Sequence, residues 1–434
     1  MDLKRFSPQK YVKNLTRFPA RFRRSVSEYR FVAYLALLGP GIIAASAGNE
    51  ASGIATYSSA GADYGYTLLW AFVPMTICFI VAQEMCVRMG VVTGQGLADL
   101  IREQFGVRWT ALVMLALLIA NTGIIIAEFV GIAQASELFG VSRYITIPIT
   151  AIVVWWLIVK GTPKRVEQVF LLMSLLFLTY IVSAFLAKPD WEQVGKEFVT
   201  PSFTFETGYL FTIMALIGTT ITPFMQVFVQ SSVVEKGMDK EDYPIARADA
   251  IIGVIFANLI AFFIVVSTAA TLHTQGIKLE DAADAAQALV PVVGQYAKYL
   301  FAVGLLGASM LAMAVLPLAT AYSLSEALGF EKGLSHSFRE APIFLGIFTA
   351  LILIGAIVAL IPGIPQIKLL VFTQSINGLL LPVILVAIVL LSSNREIMGD
   401  YKNSFFYNLL AWIITIVISI LSLLLITTTI VDIF

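Results

Sequence analysis

The stretch AASAGNEASGIATYSSAG, Ala44 to Gly61, decides how this chain reads. It lies inside the first long apolar segment, yet it carries Asn49, Glu50 and Ser52 among glycines and other small residues. Gly39-Pro40 stands just before it, so a helix crossing here is interrupted. A carboxylate surrounded by hydrocarbon needs a counter-charge, a proton or a bound cation. Hydrocarbon is the right setting: 59% of the 434 residues are hydrophobic and only 13% are charged, beyond what a soluble domain carries.

Apolar segments long enough to cross a bilayer, roughly 20 residues each, number about eleven. They lie near Phe31–Ser59, Tyr66–Val87, Trp109–Leu138, Tyr144–Val159, Val166–Ala187, Tyr209–Val234, Ala250–Leu272, Tyr299–Leu328, Ile343–Ile361, Leu369–Leu391 and Phe405–Ile430. Helices are the natural reading, because an open strand leaves its backbone unsatisfied in lipid. Lys and Arg together number 28, equal to Asp and Glu, so net charge points to no partner and gives no reason to expect nucleic acid. Their placement does carry information. With the N-terminus cytoplasmic, only Arg143, Lys188, Lys196, Lys278, Lys298 and Lys368 fall outside, which orients the chain and puts its C-terminus outside. The basic tail 1–30 is an orientation signal that can also touch anionic lipid. Cys78 and Cys86 share one apolar segment and staple nothing.

A second interruption matches the first. The sixth segment holds Gly218-Thr-Thr-Ile-Thr-Pro223, five spans after Glu50. Paired broken helices an odd number of spans apart mark an inverted repeat, with the substrate held between the breaks. Residues 31–187 and 207–391 are then the two halves, and 405–430 an added span. Thr219 and Thr222 flank the second break, while Gln374, with Asn377 one turn away, lies in the tenth span. These groups offer oxygen, which suits hard divalent cations. Met225 reads as packing. No Lys or Arg lies mid-span to neutralise Glu50, so a cation is the economical partner. Glu128 in the third span either relays protons or hydrogen-bonds a neighbouring helix. Glu84 and Arg88 are spaced to pair along one helix face. Arg247 and Asp249, before the seventh span, form either a gate contact or an interfacial pair. His273 and His336 fall in loops. No phosphate loop, His/Cys metal motif or Ser/His pair is present, so no enzyme is expected.

Four stretches make the chain resemble the Nramp family of divalent metal transporters: GPGIIAASAGNEASGIATYSSAGADYGYTLLW, RMGVVTGQGLADLIREQFG, ALIGTTITPFMQ and TQSINGLLLP. The resemblance implies an all-α integral membrane protein with a LeuT-like 5+5 inverted repeat and its first and sixth helices broken. It also shows departures. Where the family's first-span motif is Asp-Pro-Gly-Asn, this chain has Glu50-Ala51-Ser52-Gly53, so the acid is one methylene longer and the amide is lost. Asn49 is placed to replace that amide from the other side. Thr219 and Thr222 stand where the family puts an alanine carbonyl and a methionine sulfur on the metal. The histidine after the proline is Phe224, and two third-span acids are Ile125 and Leu118. Glu128 and Gln374 match family residues.

Losing the thioether removes the preference for transition metals. Losing the histidine and two acids removes a proton route. The pattern resembles the magnesium-transporting branch, with Ala51, Ser52 and Gly53 leaving room for a hydrated ion. The expectation is an alternating-access carrier of Mg²⁺ and possibly Mn²⁺, not proton-coupled, with a metal site of Glu50, Asn49, Gly53, Thr219, Thr222 and Gln374. Proton or gating roles fall to Glu128, Arg247 and Asp249. It is expected as a monomer in the plasma or inner membrane, without a cofactor. The alternatives are a proton-coupled Mn²⁺/Fe²⁺ carrier, a small organic solute carrier and a non-transporting sensor.

Overall fold

The structure, a computed structural model, describes residues 40–160, 178–279, 282–287, 294, 297–331, 338–362 and 366–433. Among these, every regular element is helical. The first span is α1 (Pro40–Ser46) and α2 (Ala51–Tyr64), separated by four non-helical residues. Then come α3 (Phe72–Thr93), the short α4 (Leu97–Phe105), α5 (Val107–Leu138), α6 (Arg143–Lys160), α7 (Leu178–Leu186) and α8 (Trp191–Val199). The second broken span is α9 (Thr207–Thr220) and α10 (Pro223–Glu235). It is followed by α11 (Tyr243–Thr268), α12 (Ala282–Gln287), α13 (Ala297–Leu328), α14 (Pro342–Ala359), α15 (Gln366–Ser393), α16 (Arg395–Met398) and α17 (Phe405–Ile433).

Nine helices among the described residues are long and apolar enough to cross a membrane. The first and fifth expected spans are described only from Pro40 and Leu178 onward. The basic tail, Lys164, Arg165 and His336 lie outside the described residues. Burial sorts the helices into centre and rim. Of the most apolar window in residues 207–235, 94% is buried, against 28% for α6 and for α17. The broken sixth span is therefore the axis of the bundle, and α6 and α17 offer their apolar sides outward, as a lipid solvent requires.

Glycines let the central backbones touch, the usual means of close packing between membrane helices. A Cβ on Gly218 of α9 would overlap the Gln374 carbonyl and the Gly378 amide of α15. A Cβ on Gly41 of α1 would come within 2.5 Å of Ala250 Cα on α11. Elsewhere α5 runs along α13, and α11 gathers α1, α2 and α3.

Three elements differ from the sequence reading. α11 starts at Tyr243 rather than Ala250, because Pro244 is tolerated in a first helical turn. Arg247 and Asp249 thus lie within the helix. Arg247 is exposed and Asp249 is buried. α3 is shifted toward Thr93, which brings Arg88 inside it beside Glu84. His273 is not in a loop: it closes a π turn, Ala269–His273, that ends the seventh span, and its Nδ1 lies 2.8 Å from the Ala62 carbonyl oxygen.

Candidate functional site

Both breaks form where the sequence placed them, and they face each other. After Thr220 the chain leaves the helix at Ile221 (φ −125°, ψ 57°), runs extended through Thr222 and re-enters at Pro223, the first residue of α10. Proline needs no hydrogen bond there. The other break covers Ala47 to Glu50. The Thr219 hydroxyl reaches across it to the Gly48 carbonyl oxygen at 3.4 Å, and Tyr57 Oη lies 3.1 Å from Thr220 Oγ1.

Glu50 occupies the N-cap position of α2 with extended backbone, yet its side chain caps nothing. It turns instead toward α15, where Gln374 Nε2 donates to Oε1. Asn377 Nδ2 donates to Gln374 Oε1 at 3.1 Å, which fixes the amide so that its NH₂ faces the carboxylate. Glu50 Oε2, Thr222 Oγ1 and Asn377 Oδ1 are buried with no hydrogen-bond partner among the described residues. Such groups are costly unless something else satisfies them. Glu50, Thr219, Thr222 and Gln374 are all at 0% exposure, so the site is closed on both sides in this structure.

Other expected members point elsewhere. Asn49 Nδ2 donates to the Ala257 carbonyl on α11 at 3.1 Å, holding the break against that helix. Gly53 is where α2 is pressed against the opposite break: a Cβ there would come 2.8 Å from Thr219 Oγ1. The room expected from Ala51, Ser52 and Gly53 is thus filled. A side chain at Gly131 would overlap the Ala51 methyl, and Ser52 is engaged by Glu128. The Met225 side chain packs against Gly48, and Ile125 packs against Gly355. Among the described residues no group of three His, Cys, Asp or Glu could hold an ion, so any ligand set here mixes carboxylate, amide and hydroxyl oxygens.

Two acids bond to the two halves of the first span. Glu128 accepts from Ala51 N (3.0 Å), Ser52 N (3.1 Å) and Ser52 Oγ (2.9 Å) at the start of α2. Asp249 Oδ2 accepts from Gly41 N of α1 at 2.6 Å. Of the two readings for Glu128, the bond to a neighbouring helix is the one observed. Sequence reasoning missed Gln226 and Gln230, which continue the Thr222 face of α10 at one-turn steps. Both are buried, with Gln226 unpartnered at both amide atoms and Gln230 at its oxygen, among the described residues. Their i, i+4 spacing from Thr222 was the available signal.

The family model of natural resistance-associated macrophage protein-like (Nramp) proteins matches residues 41–428. The chain belongs to the Nramp family. Among its Nramp relatives, the divalent metal cation transporter MntH of Deinococcus radiodurans is 27% identical over 400 residues, 88% of each chain. The protein of that name from Klebsiella pneumoniae is 26% identical over 410 residues, covering 92% of this chain and 95% of its own. Among solved structures, an Eremococcus coleocola manganese transporter shares the fold with a TM-score of 0.72 at 20% identity, over 92% of this chain and 87% of that one. MhsT bound to L-phenylalanine also shares it, with a TM-score of 0.58 at 16% identity, over 89% and 97%. The architecture of this Nramp member is therefore the LeuT-like one, and its Nramp relatives are named as metal transporters, a non-enzymatic function.

Proposed function

We propose that this Nramp protein carries divalent metal ions across the membrane by alternating access, with Glu50 supplying the charge that receives the ion. One observation carries the reading: a buried carboxylate between two facing helix breaks, with Oε2 free and the unpartnered oxygens of Thr222 and Asn377 also buried. A dication beside Glu50 would satisfy acceptors that otherwise cost several kcal/mol. Gln374 would join through its oxygen, after its amide turns. Thr219 and Asn49 support the breaks, and Gly53 admits the close approach.

The donor set favours Mg²⁺, since hydroxyl, amide and carboxylate oxygens are hard ligands. The relatives favour Mn²⁺, because those above are named for divalent metal cations or manganese. Transport driven by membrane potential alone gains about 4.6 kcal/mol per dication at 100 mV, twice the value for one charge. Phe224, Ile125 and Leu118 supply no proton-carrying group, which supports uptake without protons. The test is uptake into proteoliposomes. Wild-type protein takes up Mg²⁺ and Mn²⁺ without internal acidification, and Glu50→Gln takes up neither. Unchanged flux in Glu50→Gln refutes the assignment, and a matched proton flux restores the coupled mechanism.

A further inference from the structure

We propose that Glu128 is a positioning residue for transport: it takes over the capping of α2 so that Glu50, which occupies the cap position, is left to face the ion. The inference rests on the reading of Glu50 given above.

The first amides of a helix have no partner within it. The residue at the N-cap normally answers one of them with its own side chain. Glu50 does not. Its neighbours Ala51 and Ser52 donate their backbone N–H groups to the two oxygens of Glu128, and the Ser52 hydroxyl adds a third bond. Glu128 comes from α5, the helix that runs along α13, not from the broken span itself. Its carboxylate also lies at the positive end of the α2 dipole, where negative charge is favoured. Gly131, one turn along α5, permits the approach, since any side chain there would overlap Ala51.

The consequence is a division of labour between two buried acids. Glu128 uses both oxygens on the helix start and fixes where α2 begins. That in turn fixes the backbone of Glu50, whose Oε2 remains available. Neither Arg nor Lys is needed. Replacing Glu128 by Gln puts an NH₂ where one amide donor must be accepted, so the start of α2 loosens and Glu50 loses its aim.

The experiment has two arms on full-length protein. In proteoliposomes with an internal pH dye, Glu128→Gln raises the KM for Mn²⁺ about tenfold with a much smaller change in maximal rate, the size of one charged hydrogen bond. Ser52→Ala raises KM about twofold to threefold and has no further effect in a Glu128→Ala background, where its partner is gone. In hydrogen–deuterium exchange, which needs no ion, Glu128→Gln speeds exchange in peptides covering Ala47 to Tyr57. A proton influx that accompanies Mn²⁺ in the wild type and vanishes in Glu128→Gln at unchanged KM would overturn the proposal by making Glu128 a proton carrier. Unchanged exchange in that peptide would overturn it as well. Wild-type protein that moves neither Mn²⁺ nor Mg²⁺ would remove the transport reading, and the exchange arm would still decide the cap.

Discussion

Asp249 ties α1 to α11, and removing it should free that half-helix. The bond from Gly41 N is 2.6 Å long and buried, and its acceptor is a carboxylate. A hydrogen bond to a charged group contributes about 1.5–3 kcal/mol. Asp249→Asn keeps an acceptor and loses the charge, so about half of the larger figure is lost. Roughly 1.4 kcal/mol shifts the ratio of closed to open α1 by about tenfold. Asp249→Ala loses the acceptor too and should shift it further. The assay is thiol labelling of Ala45→Cys, a position buried on α1, in a Cys78→Ser/Cys86→Ser background. A membrane-impermeant maleimide is applied from the side expected to be cytoplasmic. The labelling rate should rise about tenfold in Asp249→Asn and more in Asp249→Ala. An Asp249→Ala protein that is folded, yet labels at the wild-type rate, would refute the reasoning.

Thr222→Met replaces an unpartnered hydroxyl with a thioether, and should shift preference from Mg²⁺ toward Mn²⁺ by about fivefold, measured by calorimetric titration of each ion. Gly218→Ala forces a methyl into the backbone of α15, which should cost about 1–3 kcal/mol and lower the melting temperature in detergent. Arg88→Lys gives up the planar fork that donates to Asn403 Oδ1 and to the Tyr401 carbonyl (3.0 Å) while pairing with Glu84 at 3.3 Å. It should cost about 1–2 kcal/mol and speed proteolysis between Asn394 and Asn403, with metal affinity unchanged.

Much of the architecture was legible because hydrocarbon imposes it. Length and apolarity located the third, fourth, eighth, ninth, tenth and eleventh spans almost to the residue, and Pro223 and the Gly48–Glu50 run located both breaks. Helix starts near polar residues were less legible: the first turn of α11 contains Pro244 and Arg247 at the rim, and hydropathy alone excluded it. The site was half visible. Glu50, Thr222 and Gln374 stood out as polar groups in apolar segments. What they bond to depends on residues distant in the chain, which no local pattern encodes. Asn49 was legible as a candidate ligand, but not the bond its NH₂ makes to Ala257. That Asp249 accepts from Gly41, 208 residues away, no local pattern could show. The changes from the family motif at Ala51 and Ser52 looked like added space. In three dimensions the Ala51 N–H, which proline lacks, and the Ser52 hydroxyl, which glycine lacks, are donors to Glu128.

The amide of Gln374 has a consequence for the journey an unloaded carrier must make. A lone anion inside a low-dielectric bundle would resist every rearrangement that leaves it uncovered. Here Gln374 offers its NH₂ to Glu50, held in that pose by Asn377, so the acid keeps a substitute companion when no guest is aboard. On the proposed reading, an arriving cation would repel that NH₂ and invite the oxygen on the other end of the same group, so that a half-turn of one side chain would distinguish the vacant return stroke from the laden one.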